Sequence, residues 1–236
     1  MISFVIPAYN EELLLGRTLD AVNDAARGLE LPFEVVVADD ASTDRTATVA
    51  REHGARVIPV SHRQIAATRN AGAKAANGEM LIFVDADTVV TAAVVRAAVA
   101  AMQAGAVGGG CAIGFDGRVP LYARLLLGIA LPLYRLAGLA SGCFLFCTRA
   151  AFDAVGGFDE TLFGAEEVVL SRALGRHGRF VVLSESVTTS GRKLRTFSAR
   201  EILGTLARLA VAGRKGVQRR EGLDVWYGER RTDPEA

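Results

Sequence analysis

Asp85 and Asp87 stand one residue apart, directly after the apolar run LIFV at positions 81–84. Unperturbed, both are ionised near pH 7. Two carboxylates this close repel each other, and a divalent cation removes the repulsion. Oxygen donors of this kind suit Mg2+ or Mn2+, which bind one or two carboxylates and complete their shells with substrate phosphates. A plainer use of the same residues is local: Asp87 or Thr88 could cap a helix that follows. Further acids gather in short clusters elsewhere: Glu11–Glu12 after PAYN, Asp39–Asp40 after VVVA, and the pair Glu166–Glu167.

The elements around these acids decide whether they meet. ISFVI reads as a strand. EELLLGRTLDAVNDAA follows with Leu15, Leu19, Val22 and Ala26 on one helical face. Asn10 suits its N-cap, and Glu11 and Glu12 suit the positive end of its dipole. FEVVVA is continuous in apolar character, like a strand buried on both faces. STDRTATVAREHG reads as a capped helix ending at Gly54, RVIPV as a strand, QIAATRNAGAKAANG as a helix and MLIFV as a strand. This βαβαβαβ alternation predicts an α/β fold, a mostly parallel central sheet with helices on both faces. Ligands on such sheets lie beyond the carboxyl ends of the strands. PAYNEE, DDASTD and DADT all fall at that edge.

The second half is less regular. SGCFLFCTR reads as a strand, AAFDAVGGFDE as a short helix entering a glycine turn, and GAEEVVLSRALGRHG as a helix with Val168, Ala173 and Leu174 inward. RFVVL is another strand, Ser198 to Ala212 an amphipathic helix, and the polar tail after Trp226 a loose end, with Trp226–Tyr227 packing it rather than stacking on a sugar. On a helix Glu166 and Glu167 point about 100° apart, so one of them faces the cleft.

Composition sets bounds. The chain has 236 residues, half of them apolar, which is enough for one large domain or two small ones. A net charge of +1 makes no electrostatic case for nucleic acid. Cys111, Cys143 and Cys147 are odd in number and set among apolar residues, so they read as buried thiols of a reducing compartment. Gly108–Gly109–Gly110 is not a phosphate loop: neither GxGxxG nor GxxxxGK[ST] occurs. His53 and His177 read as surface residues at helix ends, and His62 as loop packing. No leader precedes ISFVI, and no stretch reaches about 18 uncharged apolar residues, so the expected location is cytoplasmic.

Charge is uneven, however. Between Arg192 and Arg220 stand nine Lys or Arg and one acid, Glu201. This is a solvated helix face or a surface for anionic lipid or phosphate. Within it, Ile202, Leu203, Leu206, Leu209 and Ala210 form an apolar face. LLLGIALPLY, between Arg124 and Arg135 and interrupted by Pro132, is too short to span a bilayer and fits a core helix or an interfacial one. Together they suggest peripheral contact with the inner face of a membrane.

In this order and spacing, IPAYNEE, VVVADDASTD, AATRNAGAKAANGEMLIFVDADT, GCFLFCTRAAFDAVGGFDE and GAEEVVLSRAL resemble the family 2 glycosyltransferases, nucleotide-sugar-dependent enzymes of the GT-A (Rossmann-like) fold. The resemblance runs from Ile2 to about Arg192. It implies a catalytic domain at 1–192, with a donor half over about 1–90 and an acceptor half over about 91–192, and a basic amphipathic helix and tail at 193–236. It implies that Pro7, Tyr9 and Glu11 line a nucleoside pocket and that Asp39 or Asp40 accepts the N3–H of uracil. A carboxylate is acceptor-only, and uracil N3 is a donor. Arg69 would reach the nucleotide, Asp85 the ribose or metal, and Asp87 the metal. The family's base is the second acid of an ED pair; here the pair is Glu166–Glu167, a departure that favours Glu167 and leaves Glu166 open. The expected activity is metal-dependent, inverting transfer of a sugar from a nucleoside diphosphate, most simply UDP, to a hydroxyl or a lipid phosphate. The rivals are a non-catalytic nucleotide- or partner-binding module on the same fold and a nucleotidyltransferase.

Overall fold

The computed structural model describes residues 1–228, Arg231 and Asp233, with the side chains at positions 206, 210–212 and 214 outside the described residues. The first half alternates as expected. Strands β1 (Ile2–Ala8), β2 (Phe33–Asp40), β3 (Arg56–Val60) and β4 (Met80–Val84) are separated by helices α1 (Leu15–Arg27), α2 (Thr46–Glu52) and α3 (Ile65–Ala75). After the short β5 (Thr88–Val89) come α4 (Ala92–Gln103), β6 (Gly108–Phe115), α5 (Leu121–Leu136), β7 (Phe144–Thr148), α6 (Arg149–Val155), α7 (Glu166–His177) and β8 (Phe180–Thr189). The chain then runs through α8 (Arg192–Thr196), α9 (Ala199–Ala212), α10 (Arg214–Val217) and α11 (Asp224–Tyr227).

One sheet of eight strands is ordered β3-β2-β1-β4-β7-β6-β8-β5. β3, β2, β1 and β4 are parallel, as are β6 and β8; β7 runs antiparallel to both of its neighbours and β5 antiparallel to β8. The chain builds β1, β2 and β3 outward in one direction, then returns to place β4 on the other side of β1. The carboxyl ends of β1 and β4 therefore border a topological switch point, where such sheets bind ligands. Each sheet face has its own core. One packs Leu15, Leu19 and Val22 of α1 with Val94, Val95 and Ala98 of α4. The other packs Ala66 and Ala73 of α3 with Phe152 of α6 and Leu170 and Leu174 of α7.

Several local expectations shift. Asn10 does not cap α1, which starts at Leu15; it sits at φ 49° and its Oδ1 accepts from Thr43 N–H at 2.8 Å, tying the β1 loop to the β2 loop. Thr91, not Asp87 or Thr88, caps the helix after β4. The inward face of α7 is Glu166, Leu170, Ser171 and Leu174; Val168 and Ala173 are half-buried. The glycine triplet lies in β6. A Cβ on Gly110 would come within 2.5 Å of Ala140 Cβ, and one on Gly109 within 2.5 Å of the Phe146 ring, so glycine there serves close packing. All three cysteines are buried and unpaired. The helix expected from Ser198 forms, with a reciprocal capping box between Ser198 and Glu201.

Candidate active site

The loops after β1, β2 and β4 and the start of α3 enclose a cleft. Pro7, Tyr9 and Glu11 come from the first, Asp40 from the second, Asp85 and Asp87 from the third, and Arg63, Gln64 and Thr68 from the approach to α3. The C-terminal segment completes the wall with Lys193, Arg220, Trp226 and Tyr227. The tail beyond Trp226 is thus partly anchored: Tyr227 packs edge-on against Phe163, and its hydroxyl accepts from Ile65 N–H at 3.3 Å. Positions 229, 230, 232 and 234–236 of the expected loose tail lie outside the described residues.

Asp40 lines this cleft, and successive residues of β2 point to opposite faces, so Asp39 does not share it. Asp40 is nonetheless fully engaged. One oxygen accepts from the backbone N–H of His62 and Arg63 at 2.7 and 2.8 Å; the other accepts from Gln64 N–H at 3.1 Å and Thr68 Oγ1 at 2.8 Å. Its four lone-pair sites are filled by the turn that starts α3. Asp39 Oδ1 is buried without a hydrogen-bond partner among the described residues. In this conformation Asp40 presents no vacant acceptor to a base in the cleft, and the one that Asp39 keeps lies outside the cleft lining. The Arg63 guanidinium lies 3.4 Å from the centre of the Tyr9 ring and covers its face.

Arg69, expected at the nucleotide, is instead buried and holds the two halves of the protein together. Its Nη1 donates to Glu166 Oε1 at 2.7 Å; its Nη2 donates to Asp85 Oδ1 at 2.7 Å and to Gly142 O at 2.8 Å. Burial alone would weaken the cation, but Asp85 and then Glu166 outweigh it and hold the guanidinium charged. Glu166 is thereby committed to an ion pair. Glu167 is not: among the described residues it forms no ion pair. Burial, then the neighbouring Glu166 carboxylate, push its carboxyl up to about 8. It lies outside this cleft, beside Gly142, where an added Cβ would come within 3.8 Å of its carboxyl carbon.

Asp87 is mostly buried and faces both charge signs. Thr189 Oγ1 donates to it at 3.4 Å, and Arg192 Nη2 lies 3.8 Å away. Burial raises its carboxyl to about 6; Lys193 opposes this, and Glu11 and Asp85 add to it. Glu11 itself is clamped by Arg192 at 2.9 and 3.2 Å. Among the described residues no three His, Cys, Asp or Glu side chains converge into a complete ion cage. The donor set still fits Mg2+ or Mn2+ in the form that takes its remaining ligands from a substrate diphosphate. Asp87 keeps acceptor capacity, and the repulsion from Glu11 and Asp85 is what a cation would relieve.

Arg63, Gln64, Thr68, Arg192 and Lys193 were not singled out as site residues from the sequence. The basic run at 192–220 carried the signal for the last two, but not their direction. Arg192, Arg195, Arg208 and Arg220 turn to the protein's own acceptors: Glu11, Asp116 with Asp233, Gly222 O and Tyr227 O respectively.

The model of glycosyl transferase family 2 matches residues 3–154. Validoxylamine A glucosyltransferase from Streptomyces hygroscopicus is 37% identical over 130 residues, 51% of this chain and 30% of that protein. Undecaprenyl-phosphate 4-deoxy-4-formamido-L-arabinose transferase from Pseudomonas paraeruginosa is 38% identical over 95 residues, 37% of this chain and 28% of its own length. The chain thus spans about 30% of the length of these curated relatives. Among solved structures, glucosyl-3-phosphoglycerate synthase from Mycobacterium tuberculosis, with Mn2+, UDP and glucosyl-3-phosphoglycerate, superposes with a TM-score of 0.61 at 22% identity, covering 90% of this chain and 77% of that one. That likeness shows the fold. With the family match over most of the chain, the protein belongs to glycosyl transferase family 2.

Proposed function

We propose that the protein transfers a sugar from a nucleoside diphosphate to a hydroxyl or phosphate acceptor, with inversion at the anomeric carbon. The arrangement at the switch point carries this reading. Asp85 and Asp87 stand at the end of β4 facing the Tyr9–Glu11 loop, and Arg69 links Asp85 directly to the Glu166–Glu167 pair. Donor and acceptor chemistry are therefore coupled through one buried guanidinium.

Residues divide by role. Tyr9, once uncovered by Arg63, offers an aromatic face to a nucleobase. UDP is the donor favoured by likeness to the UDP-bound synthase. Asp40 would read uracil N3–H only after the 62–64 turn releases one of its oxygens. Asp87, with the second oxygen of Asp85, would hold Mg2+ or Mn2+, which stabilises charge on a departing diphosphate. Lys193 lines the same cleft and can pair with phosphate oxygens. Glu167 takes the acceptor proton, because Glu166 is committed to Arg69, and a base with a pKa near the working pH transfers protons well. A single carboxylate base acting on an acceptor matches direct displacement.

The test is product analysis with nucleotide sugars and Mn2+. Release of nucleoside diphosphate with an inverted glycoside is expected. Pyrophosphate as product would make the protein a nucleotidyltransferase, and binding without turnover a binding module.

A further inference from the structure

Six of the nine exposed large hydrophobic side chains among the described residues belong to one helix, α5. Leu121, Leu125, Ile129, Leu133 and Leu136 are between 58% and 86% exposed. They recur at intervals of four and three, which lines them up on one face. The opposite face, Ala123, Leu127, Leu131 and Tyr134, is buried or half-buried against the protein. α5 is therefore apolar on both sides, and among the described residues nothing covers its outer side.

Charge narrows what can cover it. Arg124 and Arg135 are eleven positions apart, about three turns, so they share one flank of the helix. Arg118 precedes the helix, and no acid occurs between Asp116 and Asp153. Beneath the flank a groove of about 900 Å3 is lined by Phe115, Leu127 and Leu131 and rimmed by Arg118 and Arg124. An apolar stripe beside a row of arginines matches the boundary between acyl chains and anionic headgroups. A second copy fits less well. Antiparallel pairing of two such helices sets Arg124 of one opposite Arg135 of the other, like charge against like. Spanning is excluded for α5 by its 16 residues, which extend about 24 Å.

We propose that α5 seats the protein on an anionic lipid bilayer, with Leu121, Leu125, Ile129, Leu133 and Leu136 below the headgroups and Arg124 and Arg135 among them. The helix leads straight into the acceptor side of the site. Ala140 N–H donates to Ser171 Oγ of α7 at 3.1 Å, one turn from Glu167, and Gly142 O accepts from Arg69. A lipid-borne acceptor would thus reach Glu167 from the bilayer, a benefit that rests on the glycosyl-transfer reading, whereas the seating is measured without it. α9 makes a weaker case: Leu203 is 45% exposed, while the side chains of Leu206 and Ala210 lie outside the described residues.

The experiment is co-sedimentation with phosphatidylcholine vesicles with and without about 30% phosphatidylglycerol, at low and high salt. Wild-type protein should bind the anionic vesicles and be released by salt. Leu125→Ser/Ile129→Ser/Leu133→Ser should lower the partition coefficient about tenfold or more while the circular dichroism spectrum and donor hydrolysis in solution stay unchanged. Failure of wild-type protein to bind anionic vesicles, equal binding to neutral ones, or a dimer abolished by the triple substitution without vesicle binding would each overturn the proposal. Vesicle binding without any donor turnover would leave the seating in place and sink the glycosyl-transfer reading instead.

Discussion

Arg69 and Glu166, 97 positions apart in sequence, meet at 2.7 Å, and the same guanidinium reaches Asp85 at 2.7 Å from its other nitrogen. Both partners of the first pair are buried. Removing one partner of a buried pair leaves the other charge unpaired, at about 3–5 kcal/mol. Arg69→Met should therefore destabilise by about this amount in urea denaturation. Arg69→Met/Glu166→Gln should recover at least about 1 kcal/mol of the loss, because no unpaired charge remains at position 166. Simple additivity of the two single substitutions would show that the pair is not energetically coupled.

Glu167 is expected to act as the base. Glu167→Gln preserves shape and removes the proton acceptor, so kcat should fall by about 100-fold or more with donor affinity nearly unchanged. Loss of the same size in Glu166→Gln alone, with Glu167→Gln active, would reverse the assignment.

The raised carboxyl of Glu167 has a pH signature. Its base form fills as pH rises through about 8, so kcat/KM should climb over that range and level off above it. Stability moves the other way. The folded protein holds this proton more tightly than the unfolded chain, whose value is near 4.5, so the stabilising contribution is complete below that and is lost as pH rises to about 8. Glu167→Gln should flatten both profiles.

Asp87→Ala should abolish cation-dependent donor turnover and leave the melting temperature nearly unchanged, since burial disfavours the carboxylate and offsets the loss of its contacts with Thr189 and Arg192. In wild-type protein Mn2+ affinity in the presence of UDP should weaken as pH falls through about 6, where Asp87 takes up its proton. Calorimetry reads both. Full turnover in EDTA would remove the cation from the account.

Asp40→Asn tests whether this acid is structural. An amide oxygen can replace only part of an acceptor that serves three backbone N–H groups and a hydroxyl. A loss of about 2–4 kcal/mol is expected with no nucleotide present. An unchanged melting temperature combined with weaker UDP binding would make Asp40 a base-reading residue in the free protein as well.

β1, β2 and β4 were legible because each carries a continuous apolar run that is buried on both faces, a property local to five to eight residues. β3 is a half-exposed edge strand, legible from its β-branched Val57, Ile58 and Val60. The acids that follow them share the cleft because parallel strands present all their carboxyl ends at one edge. β6 was not legible. GGGCAIGF has no strand pattern, and its glycines are required by the approach of Ala140 and Phe146, which lie more than 25 positions away. Glu166 and Glu167 were legible as a pair, but their division of labour was not, since it depends on which of them Arg69 reaches.

Local sequence was sufficient for the alternating elements, the place of Asp85 and Asp87 at a strand end, and the basic, partly apolar character of the second half. Tertiary packing settled direction. Arg192 became the clamp on Glu11, 181 positions away, and Arg69 a buried link between the two halves. α5 kept an apolar face outward while α1, α3, α4 and α7 buried theirs. The physical reason is range. Hydrophobic periodicity and strand polarity are set by neighbours within a few residues, whereas a charged side chain takes its role from the opposite charge that the folded chain brings within about 4 Å.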